Sequence, residues 1–338
     1  MSDKSRLQER LNESTRVLWR SPHSVQLELG RRSVILDGID SDTVRELVGH
    51  PEPPTRKGAA PQEEPTDNLA RVRAELRRLG FLVDDAGGPA PVAALVAEQA
   101  ALRVRLGTRA GAVVASRRAA RVVIRGGGRV APALGALLAA SGVGSVAVTG
   151  SGPARLRSIL PGGLRAQDEG RDYAQASADA VRRAAPRVRT DPPHPDAHPD
   201  LVILCTEGPV DGDVRGLLHE TGQAHLVVRH AADHLIVGPL VLPGATSCLR
   251  CADLHRTDRD PAWSALAVQL ASPARYPPPS DAVLASLTVA VAAMQALAFL
   301  DREPPATIEA TLELDVPDWR MRRRTWPVHP DCPCAAAA

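Results

Sequence analysis

The segment Arg121-Val-Val-Ile-Arg-Gly-Gly-Gly-Arg-Val-Ala131 decides how the chain folds. Val122–Ile124 is a short β-branched run that reads as a strand, and Ala131–Ser141 has the composition of a helix. Between them Gly126, Gly128 and Ala131 form a G-x-G-x-x-A turn. Small residues there let backbone N–H groups at a helix start approach an anionic phosphate. The alternation then continues: strand Ser145–Thr149, helix Ala174–Ala185, a Pro/His loop over Arg189–Asp200, strand Leu201–Cys205, helix Val214–Thr221 and strand His225–Val228. Strands separated by helices at this spacing predict a mostly parallel, doubly wound α/β sheet. One part of a dinucleotide site is missing, because the second strand ends Val148-Thr149-Gly150-Ser151 without an Asp or Glu for a ribose. The turn therefore serves either a nucleotide or packing alone.

Upstream lies a smaller unit. Val25, Leu27 and Leu29 alternate with polar residues, Gly30-Arg31-Arg32 turns, and Ser33–Leu36 continues, the pattern of a β-hairpin. Ser41 caps a short helix through Val48, and Pro51–Thr66, with five prolines, reads as a solvated linker. Asp67 caps a better helix with Leu69, Val72, Leu76 and Leu79 at helical spacing, closed by Gly80 and followed by the apolar strand Phe81–Val83. Three regions follow: a winged-helix-like α+β module over residues 1–88, a helical connector over 89–120 and an α/β domain over 121–338. No internal repeat is visible.

Composition narrows the function. Of 41 basic residues only Lys4 and Lys57 are lysine, which leaves 39 arginines, a skew of the kind GC-rich coding produces. The net charge is +2 and aromatics make up 2% of the chain, which excludes a general nucleic-acid binder or a base-stacking platform. Arg71, Arg73, Arg77 and Arg78 on one helix raise the alternative of a winged-helix DNA-binding regulator. Residues 1–90 hold 14 basic and 15 acidic residues, however, a net of −1, where DNA binding calls for a clear positive excess. The charged N-terminus carries no signal peptide pattern, so a cytoplasmic location is expected. Ala282–Leu300 is long enough to span a membrane, but its alanine content and missing aromatic belt favour a buried core helix and no membrane partner.

Five cysteines in such a chain point to metal or redox chemistry before disulfides. Cys248-x-x-Cys251 and Cys332-x-Cys334 suit a closed tetrahedral thiolate site for structural zinc, with His329 or His255 as a substitute ligand. Cys205 ends an apolar strand and reads as a free core thiol rather than a nucleophile, and His194 and His198 as solvated side chains. The polar run Asp253–Asp260 reads as an ion-paired cap on the zinc lobe.

The turn at Gly126, the strand ending Cys205-Thr206-Glu207, the run Gly238–Gly244 leading into Cys248-x-x-Cys251, an apolar helix and a terminal cysteine pair stand in the order found in ThiF-like activating enzymes. Over Arg121–Cys334 the chain resembles that superfamily, whose members adenylate the C-termini of ubiquitin-like and sulfur-carrier proteins. Cys248–Trp263 and Trp326–Cys334 more narrowly resemble leader-peptide-binding, cyclodehydratase-associated proteins of thiazole/oxazole-modified microcin pathways. The resemblance implies a Rossmann-like ThiF-type domain with a zinc lobe, a homodimer, and an N-terminal element that adds a precursor's leader peptide as a strand. Ser33, Val34, Ile35 and Leu36 with Arg71, Glu75 and Arg78 are the expected peptide contacts, and a YcaO-type cyclodehydratase is the expected partner.

Departures from that pattern gather at the nucleotide site. Gly150-Ser151 replaces an acidic pair, Gly162-Gly163-Leu164 falls where Asn-Leu-x-Arg is expected, and Tyr173 lies near an expected lysine. Only Glu207 keeps a carboxylate, so Gly126, Gly128, Ala131 and Glu207 are the remaining cofactor-binding candidates and ATP binding is expected to be weak or absent. No catalytic residue is assigned, and the reading is of a pseudoenzyme scaffold. The alternatives are an adenylyltransferase using Arg125 or Arg129 and, from the glycine turn alone, a dinucleotide oxidoreductase.

Overall fold

The computed structural model describes residues 9–21, 24–37, 67–84, 95–192, 198–271 and 279–334. They fall into two compact units, Met1–Ala115 and Ser116–Ala338. The helix expected at Ser41–Val48, the linker over 51–66 and His194 lie outside the described residues.

In the first unit, strands β2 (Arg16–Ser21), β3 (Ser24–Leu29) and β4 (Arg32–Asp37) form an antiparallel sheet in the order β2-β3-β4. Gly30 takes a positive φ of 62° in the turn between β3 and β4, a conformation that suits glycine. Period-two alternation sends Val25, Leu27 and Leu29 inward, each fully buried. They share a core with Leu76 of helix α1 (Asp67–Arg78), Phe81 and Leu82. The strand expected over Phe81–Val83 is β5 (Leu82–Asp84), and its partner is β1 (Glu9–Leu11) in a separate two-stranded pair, not the hairpin. Arg32 donates to the carbonyls of Leu79 and Val104, fixing the start of β4 against the end of α1 and against helix α2 (Val96–Leu106). Helix α3 (Ala110–Ala119) runs from this unit into the next.

The second unit is built on a seven-stranded sheet in the order β12-β11-β10-β9-β8-β6-β7. Strands β6 (Arg121–Gly126), β7 (Ser145–Thr149), β8 (Leu201–Cys205) and β9 (His225–His230) are parallel. Strands β10 (His234–Val241), β11 (Ala310–Asp315) and β12 (Arg322–Thr325) add antiparallel partners. The expectation of a mostly parallel sheet thus covers only the first half, and the sheet is mixed. The parallel half follows from helical crossovers. Short connections turn the chain straight back from β9 to β10 and from β11 to β12, which permits only antiparallel pairing there, whereas β11 returns antiparallel to β10 after a long helical segment.

Alternate residues of the parallel strands face opposite sides. Ile124, Val148, Ile203 and Val228 pack against helices α4 (Val130–Ala140), α5 (Tyr173–Ala184) and α9 (Ala282–Leu300). Val123, Ala147, Val202 and Val227 pack with the cysteine-bearing lobe, reached through α6 (Gly212–Glu220) and α7 (Leu249–Thr257). Helix α8 (Trp263–Ala271) follows α7. Among the described residues α9 alone is long and apolar enough to cross a membrane, and 56% of its apolar window is buried in protein. Arg117, 1% exposed, donates two 2.7 Å bonds to both carboxylate oxygens of Asp301 just past α9 and one of 2.9 Å to the Ser141 carbonyl.

Candidate functional site

Strand β6 has β7 on one side and β8 on the other, so the strand order reverses at β6/β8. In an open parallel sheet that reversal leaves a crevice at the carboxyl ends of the strands. Here a cavity of about 410 Å³ opens there, lined among others by Arg125, Gly126, Cys205, Glu207, Val210 and Leu270. Gly126 is required by the close approach of β6 and β8. Its φ is +137°, and an added Cβ would fall 2.1 Å from the Cys205 carbonyl oxygen. Gly208 similarly lies under the last turn of α8, where a Cβ would fall 2.2 Å from the Leu270 carbonyl oxygen.

The expected cofactor contacts do not stay together. Gly126 and Glu207 share the crevice wall, whereas Ala131 is fully buried in the core with α4 and does not line it. Gly128 turns its carbonyl to the Tyr173 hydroxyl, which donates across 2.8 Å. The Tyr173 ring lies 2.7 Å from where a Cβ at Gly150 would stand. On this side of β6, where a nucleotide's ribose would lie next to the second strand, a buried aromatic ring fills the space. Burial pushes the Tyr173 phenol far up, so it remains a proton donor at neutral pH. Arg129 spends Nε and Nη2 on the Arg157 carbonyl at 3.1 Å each, while Arg125 lines the crevice with an exposed side chain. Burial pushes the Cys205 thiol up to about 12, which leaves it uncharged and a poor nucleophile.

All four C-terminal cysteines converge. Their sulfurs lie within 4.8 Å of one another, with Cys248–Cys251 at 3.8 Å, Cys248–Cys332 at 3.6 Å and Cys251–Cys334 at 3.3 Å. A tetrahedral ion with sulfur at about 2.3 Å sets sulfurs about 3.8 Å apart, so the spacing fits a four-thiolate metal site. Burial pushes the Cys248 thiol up to about 11, and a cation is what would hold such a set as thiolates. The histidines are not part of this set. His329 Nδ1 accepts the Asp331 N–H, so Nε2 carries the hydrogen and donates to Asp258 at 2.9 Å. His255 Nε2 donates to the Pro327 carbonyl at 3.0 Å. With Asp258 they form a separate cluster beside the cysteines.

The run after Cys251 is ion-paired. Asp253 accepts from Arg215 at 2.7 Å, Arg256 at 3.1 Å and the Trp263 indole at 3.2 Å. Arg256 lies over the Trp326 ring, 4.5 Å from its centroid. Arg256 belongs to the run read as an ion-paired cap, whereas Arg229 is not singled out by the sequence. The only available signal was an arginine breaking the apolar run His225-Leu-Val-Val-Arg229.

In the first unit, among the described residues, β4 is an edge strand paired only with β3. Ser33 and Ile35 face outward, Ile35 being 47% exposed, while Leu36 is buried and Val34 half-buried. Arg71, Glu75 and Arg78 share the exposed face of α1, and Glu75 and Arg78 pair with each other. The Arg32 contact to Leu79 brings the start of β4 beside the end of α1, but no hydrogen bond or ion pair joins the three α1 residues to Ser33–Leu36 among the described residues.

Sheet order, glycine turn, apolar helix and cysteine group together define a ThiF-type fold. The particular likeness is to E. coli MccB, the microcin C7 biosynthetic enzyme. The structure of MccB with ATP aligns at a TM-score of 0.70 and 13% identity over 96% of this chain and 99% of that one. MccB in complex with N-formylated MccA aligns at 0.66 and 12% identity over 96% and 99%. PaaA aligns at 0.61 and 14% identity over 77% of this chain and 92% of its own. No protein-family model and no curated protein sequence matches the chain. At these identities the likeness establishes the fold.

Proposed function

We propose that this protein is a non-catalytic or weakly catalytic scaffold that binds the leader of a ribosomally made precursor peptide and presents it to a YcaO-type cyclodehydratase in the cytoplasm. The observation that carries the reading is the edge of β4, which no strand pairs among the described residues. A two-residue turn closes on a hydrogen-bonded pair, Leu29 with Arg32, so Arg32, Val34 and Leu36 point their backbone groups at β3. Ser33 and Ile35 then offer theirs to the free edge, where an extended peptide adds as a fourth strand. Arg71, Glu75 and Arg78, exposed on α1, then read its side chains. The fold likeness to MccB, solved with MccA bound, supports a peptide as the client.

Tyr173 and the tethered Arg129 support the non-catalytic part, because they occupy groups that a nucleotide would need. The four cysteines hold one structural zinc that clamps α7 to the C-terminal segment, supplying folding energy and no chemistry. Val283 and Met294, 70% and 65% exposed on α9, fit burial against a second copy in a homodimer.

Fluorescence titration of the full chain with a labelled leader peptide tests the reading. Saturable binding is expected, and Ile35→Pro, which removes a free-edge N–H without touching the β3 ladder, should abolish it. Equal binding by wild type and Ile35→Pro would overturn strand addition. The second reading, an adenylyltransferase, is favoured by the open crevice and by the likeness to MccB solved with ATP. ATP–pyrophosphate exchange above background would select it.

A further inference from the structure

Arg229 stands next to last on β9, at the carboxyl end of the parallel strands, with its side chain on the face shared by Val227. It lines a recess of about 30 Å³ together with Val210, Asp253 and Arg256. Pro209 and Val210 line both this recess and the 410 Å³ crevice at β6/β8. No hydrogen bond or ion pair reaches the Arg229 guanidinium among the described residues, and its Nε is buried without a partner.

The neighbouring charges do not balance it. Asp253 is already taken by Arg215, Arg256 and Trp263, and Glu313 by Arg324 at 3.1 Å and Thr311 at 2.7 Å. Arg256 is held in place by Asp253 and by the rings of Trp263 and Trp326, at 5.2 and 4.5 Å. Burial, with Arg256 adding to it, lowers Arg229 to about 10, which leaves it charged at neutral pH. The half-buried Arg229 thus lies near Asp253 and Glu313 but hydrogen-bonds to neither, and its buried Nε is left without an acceptor among the described residues, which is costly. A donor array of this kind is satisfied by an incoming oxyanion.

We propose that Arg229 and Arg256 form an anchor for one carboxylate or phosphate group of a ligand that lies in the crevice. The recess holds about two water-sized volumes, room for the oxygens that such a group turns toward the arginines and too little for a nucleotide. Arg229 supplies the unpaired donors, and Arg256, braced by two tryptophans, supplies a second charge. This anchor belongs to the second unit and does not depend on leader binding by the first.

Thermal unfolding and tryptophan emission of the full chain test it, with sodium phosphate, acetyl-trialanine and acetyl-trialanine amide as probes. Phosphate or the free acid should raise the Tm and shift the emission saturably, and Arg229→Met should weaken that binding at least tenfold while raising the Tm of the unliganded protein. A response to the acid alone identifies a peptide chain end or acidic side chain as the source, and a response to phosphate alone a phosphorylated ligand. Arg229→Lys keeps the charge and should retain part of the binding, which covers a failure of Arg229→Met to fold. The proposal is overturned if neither oxyanion gives a saturable response, if the variants respond as the wild type does, or if the amide binds as well as the acid.

Discussion

The Tyr173 hydroxyl donates to the Gly128 carbonyl across 2.8 Å, and the Tyr173 ring occupies the space that a side chain at Gly150 would need. The missing carboxylate at the end of β7 and the tyrosine at the start of α5 are therefore one structural fact. A side chain at Gly150 has room only if the Tyr173 ring moves or is removed. The Gly128 carbonyl is satisfied from within the protein.

That coupling is measurable. Tyr173→Phe keeps the ring and loses one buried hydrogen bond, which should cost about 1 kcal/mol. Gly150→Asp should be destabilising in the wild type and much less so beside Tyr173→Ala, with a coupling of about 1–3 kcal/mol in a double-mutant cycle by urea denaturation. Additive effects would mean that the ring does not control the site.

The two glycines of the turn should behave differently. Gly126→Ala must place a methyl 2.1 Å from the Cys205 carbonyl oxygen at a φ of +137°, so β6 and β8 have to separate. A loss of about 3 kcal/mol or more is expected, strain and overpacking acting together. Gly128 has a φ of +77° and open space around its Cβ position, so Gly128→Ala should cost only about 1–2 kcal/mol. Denaturant midpoints of the two variants decide between these expectations.

Much of this was legible in the chain, and the parts that were not have physical reasons. Val122–Ile124, Ser145–Thr149 and Leu201–Cys205 read as strands because a strand buried on both faces is a continuous apolar run. Strand β12, Arg322–Thr325, is an exposed edge of three arginines and a threonine, with no apolar pattern to read. The pairing of β1 with β5 joins three-residue strands that flank β2–β4 and α1 in the sequence, which spacing does not encode. The cysteines stood out because thiolates in pairs have few roles. Arg229 did not, because one unpaired arginine among 39 has no signature until its surroundings are known.

Acid should weaken the second unit partly through His230. Burial first, then Arg129 and His234, lower its pKa from the usual 6.5 to about 4, and its Nε2 lies 2.7 Å from the Ser280 hydroxyl. The unfolded chain takes up a proton below about pH 6.5, whereas the folded protein resists until about pH 4. The stabilisation is thus complete above pH 6.5 and is lost as the pH falls through that window. His230→Gln should lose less stability than the wild type between pH 6.5 and 4, measured by denaturation at each pH. Parallel pH profiles would remove His230 from the account.

The cysteine group gives the last test. Cys248 and Cys251 open α7 while Cys332 and Cys334 close the described chain, so an ion bound by all four joins segments that the backbone leaves far apart in sequence. Elemental analysis should find about one zinc per chain, because four thiolates close a tetrahedral site. Cys248→Ser should lose the metal and the cooperative unfolding of the second unit, since binding energy at a structural site is folding energy. Cys205→Ser, at the end of β8 and outside the group of four, should keep both. Full metal content in Cys248→Ser, or none in the wild type purified with zinc, would leave the four sulfurs as ordinary buried thiols and remove the clamp on the C-terminal segment.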